Sequence, residues 1–170
     1  MTILEHRKNT TEVKEMTLGF LVKDNKVLLA MKKRGFGVGR WNGIGGKLEV
    51  NESPESAMKR EANEEINIKI QSFRTAGSII FYDSGNVDYK KKALKVYLYI
   101  IDKWDGIPKE SEEMRPQWFD IKELPFRDMW NDDRYWLETV LSGKSITSEF
   151  LIDEANNKIL EYVIDVKRQI

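Results

Sequence analysis

Between Gly46 and Ile68 the chain reads GKLEVNESPESAMKREANEEINI, a stretch that marks both ends of a helix and loads the helix with acids. Ser53 is a good N-cap, and Pro54 suits the first helical position, where its missing N–H would have had no partner. Glu55 in the first turn favours the positive end of the helix dipole. Asn67 tolerates the left-handed conformation in which helices often end, so the pattern predicts a helix from Pro54 to about Ile66. Met58, Ala62 and Ile66 recur every four residues and form its buried stripe. Glu65 falls inside the edge of that stripe, Glu61 beside it and Glu64 slightly further round.

Carboxylates do not normally sit against an apolar seam. Glu61 and Glu65 are a like-charge i,i+4 pair, which is unfavourable even when exposed. Near a partly buried surface, two charges ~4 Å apart repel by roughly 4 kcal/mol at an effective dielectric of about 20. A hard divalent cation takes oxygen ligands, bridges to substrate phosphates and reverses that sign. The bland alternative is a solvated acidic face held by an Arg60–Glu64 pair, but Arg preceding Glu is the weaker orientation for such a pair.

The spaced set Gly46, Glu52, Arg60, Glu61, Ala62, Glu64, Glu65 and Ile68 resembles the signature of the Nudix family, with Asn67 standing where that family has Gly. The resemblance implies an α/β Nudix fold, a mixed β-sheet sandwiched between helices, with the signature as a loop-helix-loop. It also implies Mg²⁺ as cofactor, with Mn²⁺ an acceptable substitute.

A chain of 170 residues fits one domain, 1–170, with a proper core; its polar first fifteen residues are expected to be a flexible N-terminal arm. Lys plus Arg equals Asp plus Glu, 28 each, so no global field draws it to nucleic acid or anionic membranes. There is no cysteine, and His6 is the only histidine, which excludes thiolate chemistry, His-based triads and His metal sites. No secretory apolar region or membrane-length apolar run stands out, and Glu5, Glu12 and Glu15 argue against an acid-poor transit peptide. The expectation is a cytoplasmic, soluble monomer whose partner is a small nucleotide, with no nucleic-acid polymer and no membrane.

Along the chain, 16–23 and 26–31 read as a hairpin around Asp24-Asn25. After the acidic helix, strands are expected at 69–70, 77–82, 93–101 and 115–119, a short capped helix at 120–123, a longer helix at 132–141 ended by Gly143, and a terminal hairpin of 150–153 with 159–166. Gly35, Gly37, Gly39, Gly43, Gly45 and Gly46 crowd one loop. Such density permits close backbone approach to a ligand. It is not a P-loop, since Trp41 and Leu48 stand where Gly and Ser/Thr are required. Phe36, Trp41 and Ile44 argue against a merely solvated loop.

Within the family the segments MKKRGFGVGRWNGIGGK, ESEEMRPQWF and LPFRDMWNDDRYW resemble the MutT-homologue branch that hydrolyses oxidised purine nucleoside triphosphates. That resemblance implies metal ligation by Gly45 (backbone carbonyl), Glu61, Glu64, Glu65 and Glu113. It implies purine hydrogen bonding by Asn42, Asp132 and Asp133, walls from Trp130, Phe36 and Phe81, and further contacts from Thr17 and Lys32. The resemblance also implies that Ile44, Gly46, Lys47 and Asn131, inside the matching segments, line the same nucleotide pocket. Glu65, Glu113, Glu61 and Arg60 are the expected catalytic group, with either Glu65 or Glu113 the candidate general base and Arg60 expected to orient a carboxylate. Attack at the β-phosphorus, giving monophosphate and pyrophosphate, is what the resemblance suggests.

Alone, Asp132-Asp133 reads as two acids at a helix N-terminus. Beside Trp130 the pair would share a proton in an enclosed pocket, one carboxyl donating and the other accepting. The rival readings are the same chemistry on a methylated purine nucleotide or a dinucleoside polyphosphate, and a catalytically silent nucleotide-binding module. Leu94 and the lysine-rich loop Ser84–Lys92 bear on the first of these, and the intact set of acids disfavours the second.

Overall fold

The computed structural model describes residues 1–85 and 92–168; most of the Ser84–Lys92 loop therefore lies outside the described residues. Helix α1 spans Ile3–Asn9, followed by β1 (Glu12–Lys23), β2 (Lys26–Lys32) and β3 (Trp41–Asn42). Then come α2 (Pro54–Ile66), β4 (Lys69–Asp83), β5 (Lys92–Asp105) and β6 (Met114–Asp120). The chain ends with α3 (Asp133–Leu141), β7 (Lys144–Asp153) and β8 (Lys158–Arg168).

The strands make one mixed sheet in the order β3-β2-β1-β5-β4-β7-β8, with β6 pairing on the other side of β2's length. β1 runs parallel to β5 and β4 parallel to β7; the other pairings are antiparallel. Asp24 and Asn25 both take positive φ, 53° and 61°, the geometry a two-residue hairpin turn needs to match strand twist. The alternation of side chains across the sheet then sorts the core into two layers. On one face Leu18, Phe20, Val27, Leu29 and Leu98 pack with Trp136, Leu137 and Val140 of α3. On the other Leu21, Leu28 and Ile101 pack with Met58, Ala62 and Ile66 of α2. The expected sheet between helices is what forms.

Helix α2 has the termini its sequence predicts. Ser53 Oγ accepts from the Ser56 N–H at 3.2 Å, and Asn67 adopts the left-handed conformation at φ 57°, ψ 46°.

Four elements depart from expectation. The N-terminal segment is not a frayed arm. Thr2 and Glu5 form a reciprocal capping box, and Ile3 is buried against Tyr82, Ala93 and Leu151, so an apolar anchor offsets the poor odds of a seven-residue helix. Arg7 pairs with Glu149, which also accepts from Tyr82 Oη at 2.9 Å. The helix expected at 120–123 is a turn, because Asp120 is held as the last residue of β6, paired with Lys26. Its carboxylate instead accepts from the Lys122 N–H at 2.9 Å. Strand β4 is one fifteen-residue strand rather than two pieces; register shifts at Ile70/Ser72, Ser72/Phe73 and Thr75/Gly77 absorb its irregular patterning. Strand β7 begins at Lys144 rather than near 150.

Candidate active site

The glycine-rich loop returns to β1 just before α2. Thr17 N–H donates to Gly46 O at 2.9 Å and Gly19 N–H to Ile44 O at 2.6 Å, which pins the loop across the start of the sheet. At Gly46 a Cβ would stand 2.4 Å from Glu61 Oε1 and displace that carboxylate. The absence of a side chain is what lets the Glu61 carboxylate lie against the loop backbone.

Glu61 and Glu65 are brought together on α2 at the edge of its buried face, and Glu65 is only 4% exposed. Burial and, next, the Glu61 charge push the Glu65 carboxyl up to about 9. The Gly45 N–H, donating to Glu65 Oε2 at 3.4 Å, offsets this only weakly. Arg60 does not neutralise Glu65. Its Nε and Nη2 each donate to Glu52 at 2.9 Å, its Nη1 donates to Glu61 at 3.0 Å and Glu64 at 3.2 Å, and Nη2 also reaches Lys47 O at 3.1 Å. The fork holds Glu52 down to about 2 and ties the loop to the helix, a carboxylate-orienting role.

Glu64 is half exposed and turned to Arg60. Glu113 stands half exposed in the turn before β6, where Arg34 Nη2 donates to it at 3.3 Å. Its backbone is fixed by Ser111 Oγ, at 3.3 Å from the Glu113 N–H, and by the Lys33 N–H donating to its carbonyl at 2.8 Å. Among the described residues no three acidic side chains are gathered tightly enough to hold an ion. The Glu61–Glu65 pair nevertheless fits a hard divalent cation: two oxygen donors face each other with too little positive charge between them, and the nearby donors are carboxylates and carbonyls, with neither sulfur nor imidazole.

The second half of the site lies at the start of α3. Asp132 and Asp133 are buried, Asp133 to 2% exposure. Burial raises both carboxyls above the usual Asp range, and for Asp133 the Asp132 charge adds to it. Trp136 Nε1–H donates to Asp132 Oδ2 at 2.8 Å, whereas Asp133 Oδ2 has no partner. An unpaired buried carboxyl oxygen is costly. Trp130 stacks with Phe36 at 5.1 Å between centroids, and Phe81 stacks on Phe150 at 5.7 Å.

The other sequence-predicted residues divide. Thr17 is fully buried beside Gly46, and Lys32 ends β2, its carbonyl accepting from the Gly39 N–H at 3.0 Å. Asn42 Oδ1 accepts from its neighbour Gly43 N–H at 2.8 Å. Lys47 meets the site through its backbone, bridging Met16 and accepting from Arg60. Ile44 is committed to the core with Met58 and Ala62, and the Asn131 amide is turned to the Asn157 carbonyl in the β7–β8 turn. Two residues at the site were not singled out from sequence, Arg40 and Phe150. Phe150 sat in an expected strand, but nothing local marked it as the floor under Phe81. Arg40 had a cue in its place between Phe36 and Trp41, yet its partner lies some ninety residues on.

Comparison with known proteins follows this geometry. A model of the NUDIX domain matches residues 14–140. The chain is 40% identical over 152 residues to the oxidized purine nucleoside triphosphate hydrolase of Danio rerio, covering 89% of this chain and 94% of that one. It is 40% identical over 146 residues to the protein of the same name from Mus musculus, covering 86% and 90%. Among solved structures, the MutT protein of Bacillus halodurans superposes with a TM-score of 0.75 at 24% identity, covering 89% of this chain and 97% of that one.

Proposed function

This chain belongs to the Nudix family and is a hydrolase, and from that premise we propose that it cleaves oxidised purine nucleoside triphosphates to the monophosphate and pyrophosphate with Mg²⁺. The observation that carries the reading is the pairing, in one molecule, of buried Glu65 against part-buried Glu61 with a buried, partly unsatisfied Asp132–Asp133 couple beside Trp130. The first suits a metal-bridged polyphosphate and the second the polar edge of a stacked purine.

Gly45 through its carbonyl, Glu61, Glu64, Glu65 and Glu113 would hold the divalent cation, which supplies charge neutralisation on the phosphates and an activated water. Glu64 and Glu113, half exposed and paired with Arg60 and Arg34, would share or exchange those partners to join the pair, as such sites often tighten only with substrate. Glu65 or Glu113 removes the proton of the attacking water. Arg60 keeps Glu61 and Glu64 in place from behind, and Lys32 serves the sugar and phosphate end. Trp130, Phe36 and Phe81 wall the base while Asn42, Asp132 and Asp133 read its edge. Free nucleotides rather than nucleic acid, a monomer, and a cytoplasmic setting complete the reading; among the described residues no helix is long and apolar enough to cross a membrane.

The test is pyrophosphate release from a panel of canonical, oxidised and methylated purine triphosphates and dinucleoside polyphosphates, with and without Mg²⁺. Preference for 8-oxo-dGTP or 2-hydroxy-dATP supports the reading. A metal-independent release, or equal rates on canonical nucleotides, refutes it.

A further inference from the structure

Trp130 is gripped by the glycine-rich loop at several points. The Arg40 guanidinium carbon lies 4.3 Å from its ring centroid. Phe36 stacks on it at an interplanar angle of 28°. The backbone at Gly37 runs so close that a Cβ there would stand 3.2 Å from Trp130 Cζ2. Arg40 is also bonded to the backbone that carries the indole: its Nη1 donates to Met129 O at 3.4 Å, and its own N–H donates to Gly37 O at 3.1 Å. Among the described residues no carboxylate forms an ion pair with Arg40, so its charge is directed to the indole face and the Met129 carbonyl.

A planar guanidinium over an indole is attracted by the ring quadrupole and by stacking, an arrangement in which Lys is a poor substitute. It also fixes the indole plane before any base arrives, and a wall already in place costs less ordering on binding. We infer that Arg40 is a positioning residue for base recognition, holding Trp130 in the plane on which the purine stacks without itself reading the base. The inference rests on the proposed function. Because stacking is blind to the base edge, Arg40 governs how tightly purine triphosphates bind and leaves the choice between oxidised and ordinary purines to Asp132 and Asp133.

The experiment measures KM and kcat on 8-oxo-dGTP for the wild type, Arg40→Leu, Arg40→Lys, Trp130→Leu and the Arg40→Leu/Trp130→Leu double variant. Circular dichroism checks that each is folded. Arg40→Leu is expected to raise KM about fivefold, with the loss in KM rather than in kcat. Arg40→Lys should recover part of it, and the oxidised-to-ordinary preference should stay as in the wild type. With Trp130 removed, Arg40→Leu should add almost nothing, because the two act as one unit. An equal loss in both backgrounds shows Arg40 touching substrate directly and overturns the inference, as does an unchanged KM in Arg40→Leu. A wild type inert towards every oxidised purine nucleotide overturns the functional reading and the inference together.

Discussion

The Trp136 indole N–H donates to Asp132 Oδ2 at 2.8 Å, four residues along the same helix end, while the adjacent Asp133 carboxyl is buried with one oxygen unpartnered. Burial raises both acids; the Trp136 indole works against the rise at Asp132, whereas at Asp133 the Asp132 charge adds to the rise and only a backbone hydrogen bond at Trp130 opposes it. The indole bond thus makes a chemically matched pair unequal, with the greater upward push falling on Asp133. In the proposed function, a base edge with one donor and one acceptor would meet both.

Replacing Trp136 by Phe removes that donor while keeping most of the ring. A buried acceptor left without its partner costs about 2 kcal/mol, and the packing loss adds to it. Urea unfolding should show the fall in stability. An unchanged midpoint would mean that water or a neighbour replaces the bond.

The Asp133 shift has a definite sign in a stability profile. With its folded value raised above the ordinary 3.8, folding holds the proton that the unfolded chain releases, so the contribution is intact below about pH 4 and declines as pH rises from there. Asp133→Asn, uncharged at every pH, should flatten that decline and unfold later than the wild type at pH 7 to 8. Parallel profiles for the two proteins would contradict the assignment. Asp132→Asn and Asp133→Asn should also change affinity for oxidised guanine and oxidised adenine nucleotides differently.

Glu65→Gln keeps the size of the side chain and removes the charge that a cation needs. Turnover should fall by about three orders of magnitude while binding of the monophosphate product is retained. A ligand that binds only the folded state raises the unfolding temperature. Mg²⁺ should therefore stabilise the wild type and stabilise Glu65→Gln much less. Equal stabilisation would place the ion elsewhere.

Arg60→Lys retains a cation but loses the fork that joins Glu52, Glu61, Glu64 and the Lys47 carbonyl. A misplacement of about 1 Å at the reacting groups costs roughly a hundredfold in turnover. The loss should appear in kcat, with KM nearly unchanged because Asn42, Asp132 and Asp133 are not among the fork's hydrogen-bond partners. A rise in KM alone would point to direct contact with substrate.

Helix α2 was legible almost to the residue because its caps and stripe are local: Ser53, Pro54 and Asn67 act within a few residues of themselves. The acid pattern was legible for the same reason. Helix α1 was not, although Thr2 and Glu5 spell a capping box, since what makes seven residues helical is the distant seat of Ile3 among Tyr82, Ala93 and Leu151. The turn at Asp120 and the unbroken run of β4 were settled by strand partners that no local pattern names. The same limit hid Arg40, whose role exists only once Trp130 is folded beside it.

The parallel pairing of β1 with β5 joins Thr17 to Tyr97, about eighty residues apart. During synthesis β1, the glycine-rich loop and α2 all leave the ribosome before β5 exists to receive β1. At about 5–20 residues per second, the nascent chain spends several seconds with Glu61 and Glu65 already made but without β5 in the sheet that buries Glu65. The cost of desolvating Glu65 is thus deferred until the last half of the chain arrives, and an early fragment ending before residue 92 should be unable to assemble the catalytic end of the molecule.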